Sequence, residues 1–117
     1  PREVRLIFLG FEVGVRVKTG GWLTTCAQAN NPCRQAYIDY NGLGQNRQSW
    51  DPMTVLLAVR GADAMLLREA GMGGTCCVDA ATAANEWIPG KNSNQTYVQI
   101  TSDESLFPIA KMIDDLL

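Results

Sequence analysis

The residues best equipped for chemistry are Ser49-Trp50-Asp51-Pro52, a carboxylate at the junction between a loop and a helix. Proline presets the backbone for a first helical turn, and the apolar run Met53 to Val59 continues it. The same four residues also make an ordinary helix start. There Asp51 or Ser49 accepts from free helical amides, and Trp50 packs as a hydrophobic staple.

Other chemistry-bearing residues are less suggestive. Histidine is absent, which removes the commonest general base and the commonest metal ligand. Cys26, Cys33, Cys76 and Cys77 could pair in several ways, but their spacing fits no zinc pattern. Free thiols, buried or half-buried, are the expectation. No histidine is available to activate Cys26 as a nucleophile. Gly71-Met72-Gly73-Gly74 echoes a phosphate loop, yet it leads into strand-like Thr75-Cys76-Cys77-Val78, so it reads as a hairpin turn. Asp114-Asp115 reads as the solvated face of a terminal helix, and Trp87 as a packing aromatic at a strand end. Asn94-Gln95-Thr96 is a formal glycosylation acceptor in a polar loop.

Composition narrows the function classes. The 117 residues amount to about one domain's worth. Hydrophobic residues at 46% and charged residues at 19% fit a folded chain. Ten Lys plus Arg against twelve Asp plus Glu leave a net charge of −2. No basic excess exists to bind a phosphate backbone, so a nucleic-acid partner is not expected. Arg2, Arg5, Arg16 and Lys18 form only a sparse positive cluster. No run approaches the ~18–20 apolar residues of a membrane span, and the start has no signal-peptide core. The compartment stays open. Pro1 in place of Met reads as the edge of something longer.

The elements that must position Asp51 follow from pattern. Val4 to Leu9 is a short apolar strand ending at Gly10. Phe11 to Lys18 alternates apolar and polar residues, as a half-buried strand does. Thr24 or Thr25 is placed to cap a short helix. Asn30-Asn31-Pro32 starts a helix that runs to about Tyr40 and stops at Asn41-Gly42. Asn41 to Gln48 reads as an exposed loop, and Gly61-Ala62-Asp63 closes the helix after Pro52. Ala64–Glu69, Thr75–Asp79, Asn85–Ile88 and Thr96–Ile100 are strand candidates, with Pro89-Gly90-Lys91-Asn92 as a turn. Ser102 can cap a last helix whose Leu106, Ile109, Ile113, Leu116 and Leu117 recur at helical spacing. A strand as apolar as the first one needs neighbours on both sides. No partner of matching character precedes residue 64, so the chain looks like the end of an α/β domain.

The ordered set of Leu6-Ile7-Phe8-Leu9-Gly10-Phe11-Glu12-Val13-Gly14, Thr19-Gly20, Asn31-Pro32, Tyr37, Ser49-Trp50-Asp51-Pro52-Met53-Thr54-Val55-Leu56 and Asn85-Glu86-Trp87-Ile88-Pro89-Gly90, closed by an amphipathic helix, spans nearly the whole chain. It resembles the C-terminal third of the nucleoside hydrolases, the inosine/uridine-preferring nucleoside N-ribohydrolases. The likeness is to the branch with Trp-Asp-Pro where other members have His-Asp-Pro. The resemblance implies an α/β fold whose mostly parallel sheet is flanked by helices. Residues 1–117 would form its C-terminal part, with late β-hairpins and a terminal helix. It implies a bound Ca²⁺ that activates water to cleave the N-glycosidic bond of a ribonucleoside, with a purine base favoured. Asp51 matches the family's last metal-ligating aspartate. Trp50 stands where many members place the histidine that protonates the leaving base; an aromatic there stacks on the base instead. The loop 41–48 matches a segment near the substrate mouth, which Tyr37 and Tyr40 approach from the preceding helix.

The family's N-terminal aspartate cluster, Asp-x-Asp-Pro-Gly-x-Asp-Asp, is not in this chain. It supplies the other metal carboxylates and the general base, so the chain alone is expected to be inactive. Its partners would be the remainder of the same domain or other subunits, and the nucleoside substrate. The alternative is a non-catalytic structural or interaction module derived from the hydrolase fold.

Overall fold

A computed structural model of the chain describes residues 4–90 and 94–117. Along the chain run β1 (Leu6–Leu9), α1 (Phe11–Gly14), β2 (Lys18–Thr19), α2 (Gly21–Cys26), α3 (Pro32–Asn41), β3 (Arg47–Gln48) and α4 (Trp50–Arg60). After these come β4 (Leu67–Val78), β5 (Asn85–Ile88), β6 (Gln95–Ile100) and α5 (Leu106–Asp114), with 3-10 turns at Asp63–Met65 and Asp103–Ser105. The protein is therefore mixed α/β. Arg2 of the positive cluster, Pro1, and Lys91-Asn92 of the expected turn lie outside the described residues.

Four strands form one sheet in the order β1-β6-β4-β5, and β2 pairs with β3 in a second, two-stranded one. Among the described residues the main sheet is mixed rather than mostly parallel. β1 runs parallel to β6, whereas β4 pairs antiparallel with both β6 and β5. Parallel partners need a long crossover between them. Only β1 and β6, separated by all the long helices before β4, have one.

One expected strand and one expected turn are corrected. Phe11 to Lys18 is not one strand but the single turn of α1 leading into β2. Its buried residues Val13, Gly14 and Val17 fall at helical spacing, and Phe11 is left exposed. Gly71-Met72-Gly73-Gly74 is not a hairpin turn but an irregularity inside the continuous strand β4, between Ala70 and Gly74. Gly71 and Gly73 sit there at positive φ, 64° and 77°, which glycine adopts without steric cost. Trp87 fills the room left by Gly71 and by Gly74, where a side chain would overlap its indole. The sequence Asn94-Gln95-Thr96 runs into β6 rather than forming a polar loop, and Thr96 is buried in the sheet.

Helix starts are also met differently. Asn31 caps α3 as expected, its side chain accepting from the amides of Cys33 and Arg34. Thr24 and Thr25 lie inside α2, where their hydroxyls donate back to the Gly21 carbonyl. Ser102 begins a 3-10 turn without a side-chain cap bond. Asp79 closes the connection after β4, accepting from the amides of Ala81 and Thr82 and from the Thr82 hydroxyl. Those bonds hold its carboxyl below the usual value of 3.8.

The core gathers Val13, Met53, Leu56, Leu57, Leu67, Val98, Ile109 and Ile113 from α1, α4, β4, β6 and α5, with Val17 before β2 and Met65 from the 3-10 turn. Of the terminal apolar residues, Ile109 and Ile113 join it, whereas Leu116 and Leu117 remain exposed. Cys76 and Cys77 are half-buried, but Cys26 and Cys33 are exposed thiols, against expectation. No helix among the described residues is long and apolar enough to cross a membrane.

Candidate active site

The chain enters α4 from β3 through Ser49, whose amide donates to the Val17 carbonyl at 3.0 Å. The Ser49 hydroxyl is buried and shares a hydrogen bond with Thr19 Oγ1 at 2.6 Å. Ser49 makes no side-chain cap bond to α4, so its hydroxyl ties the entry to β2 instead. Asp51 is exposed in the first turn and has no hydrogen bond or ion pair among the described residues. A carboxylate there complements the helix dipole and remains available to a ligand.

Trp50 does not act as a staple onto its own helix. It reaches the residue pair after β1, stacking on Phe11 with ring centroids 5.6 Å apart and planes 29° apart. Its indole N–H donates to the Phe11 carbonyl at 3.2 Å. Gly14 lies so close that a Cβ there would overlap the Cδ1 and Cγ atoms of the indole. Three independent contacts thus hold one side chain in place.

Tyr37 and Tyr40 stand elsewhere. Tyr37 presses its ring on Gly20, between β2 and α2. Tyr40 is 70% exposed and carries the Arg47 guanidinium 4.2 Å from its ring centroid, a cation–π contact. No hydrogen bond or ring contact among the described residues joins either tyrosine to Trp50 or Asp51. The structure brings Trp50 onto Phe11, with Asp51 next to it in the first turn of α4, while Tyr37 meets Gly20 and Tyr40 meets Arg47.

Nor does Asp51 hold a calcium ion by itself. Such ions take about six to eight oxygens. No group of three or more His, Cys, Asp or Glu side chains stands together among the described residues. The other expected pair of carboxylates divides by role. Asp114 is half-buried and accepts from the Gly20 amide at 2.8 Å, while Asp115 pairs with Lys111 on the surface at 2.6 Å.

Beside Phe11 opens a groove of about 720 Å³ whose walls include Phe8, Phe11, Glu12, Glu86, Trp87 and Tyr97. Trp87 meets Phe8 and Tyr97 edge to face, at 6.1 and 5.0 Å between centroids. Phe11 and Glu12 were hidden in the sequence by the alternating pattern that assigned them to a strand. Their signal was Gly10, which ends β1 and turns the following residues outward at its carboxyl end. Open α/β sheets bind ligands in the crevice beyond the carboxyl ends of their strands. No family model, curated protein or solved structure matches this chain.

Proposed function

We propose that the chain is the C-terminal part of a nucleoside N-ribohydrolase domain that cleaves the N-glycosidic bond of purine ribonucleosides. One observation carries this: Trp50, which opens α4 next to the unpaired carboxylate Asp51, stacks on Phe11 just beyond the carboxyl end of β1. That is where an open α/β sheet presents its ligand site. Asp51 contributes one carboxylate to a Ca²⁺ site whose remaining oxygens come from outside these residues. The parallel pair β1 and β6 continues a larger, mostly parallel sheet. Alone, the chain is inactive.

A non-catalytic binding module is favoured by a different detail. The one N–H of Trp50 is already donated to the Phe11 carbonyl, so nothing at this position protonates a leaving base. The two are separated by assaying the longer protein for ribose release from inosine and guanosine, with and without a Ca²⁺ chelator. The hydrolase releases ribose, stops on chelation, and loses at least about a hundredfold in rate in Asp51→Ala, as metal-assisted chemistry requires. Release unaffected by Asp51→Ala removes the metal role. Binding of guanosine without release leaves the module.

A further inference from the structure

Trp50 and Phe11 stack, but they are not equivalent. Trp50 is half-buried, with Phe11 against its ring, Gly14 against its five-membered portion, and its N–H in use. Phe11 is 70% exposed. An aromatic ring placed to stabilise a core removes most of its surface from water, and Phe11 does not. Its outer face turns to solvent at the groove it shares with Phe8, Glu12, Trp87 and Tyr97.

Glu12 adds the polar half. Its carboxylate folds back over Gly10, occupying the space a side chain there would fill. It has no ion pair or hydrogen bond among the described residues, so its oxygens are acceptors awaiting donors.

Resting on the nucleoside assignment above, we propose that Phe11 is the ring that contacts the base, with Trp50 as its fixed backing, and that Glu12 accepts N–H groups from that base. The site takes a planar heteroaromatic ring bearing N–H donors, the chemistry of a purine such as guanine. Stacking supplies affinity without strong sequence of substituents, and the carboxylate selects rings with donors over those without. Trp50 then orients Phe11 and is a positioning residue.

The test uses the longer protein, with guanosine as probe. Binding is read from the Trp50 fluorescence, isolated by subtracting the signal of Trp50→Phe, and KM and kcat come from ribose release. Phe11→Leu is expected to raise the Kd and KM for guanosine about tenfold, at the usual worth of one base–aromatic stack. The larger part of any catalytic loss falls in KM, and Phe11→Tyr restores binding. Glu12→Gln weakens guanosine more than purine riboside, whose ring carries no N–H donors. Guanosine binding that is unchanged in Phe11→Leu overturns the proposal and returns the base to Trp50. Phe11-dependent binding without ribose release supports the platform and removes the hydrolase assignment. A wild-type protein that binds no guanosine overturns the platform outright. Because Phe11 is exposed, an unchanged melting temperature in Phe11→Leu separates lost contact from lost fold.

Discussion

At the residue scale, Gly14 shows how a site can depend on an atom that is missing. Its backbone is helical, so glycine is needed there for space, not for conformational freedom. The atoms a Cβ would strike, Cδ1 and Cγ, are next to the root of the Trp50 side chain and cannot swing away as a flexible tip would. Gly14→Ala is therefore expected to cost about 1–3 kcal/mol, the usual penalty of overpacking, and to displace the indole from Phe11. Thermal melting measures the first effect, and loss of the Trp50 near-ultraviolet circular dichroism band the second. A variant as stable as the parent with an unchanged band would show that the indole has slack. From sequence, Trp50 and Asp51 stood out because helix-start chemistry is local. Gly14 and Phe11 did not, because their importance arises only when α4 folds back onto the end of β1.

Elements repeat that division. α3 was legible to within a residue, since Asn31, Pro32 and Gly42 are local start and stop signals. The start of α2 is not legible, for the opposite reason. Gly20 has no side chain with which to cap it, and the donors at that end are met from afar. Asn46 accepts from the Gly21 amide at 2.7 Å, and Asp114 from the Gly20 amide, 94 residues away in sequence. What looked like a solvated carboxylate on a terminal helix is the cap that ties α5 to α2. Asp114→Ala leaves that amide without its partner and is expected to destabilise the protein by about 1–2 kcal/mol. Asp114→Asn, which keeps an acceptor, should lose less, and Asp115→Ala almost nothing, because its pair with Lys111 is exposed. Urea denaturation of the three variants orders them. Equal midpoints for Asp114→Ala and Asp115→Ala would refute the capping role.

At the scale of the whole molecule, the chain has more surface than its mass explains. Its accessible area is 7801 Å², where a compact monomer of this size exposes about 6,300 Å². Its radius of gyration is 16.6 Å, against about 13 Å for a compact domain of this length. Part of that surface is apolar. Among the described residues β1 is the edge strand of its sheet, and Leu6, Ile7 and Phe8 are 46%, 38% and 36% exposed although they alternate between its two faces. A strand apolar on both sides belongs inside a covered sheet, and an uncovered edge is a template for pairing. On α4 the outer residues Val55 and Val59 add a further stripe at one-turn spacing. The isolated 117-residue chain is therefore expected to associate as its concentration rises, and to melt without a sharp transition while monomeric. Sedimentation velocity across a hundredfold range of concentration reads the association. Ile7→Lys combined with Val59→Lys should shift it toward monomer, since each places a charge on exposed apolar surface without touching the core. A monodisperse monomer that unfolds cooperatively would mean that β1 is stable as a bare edge.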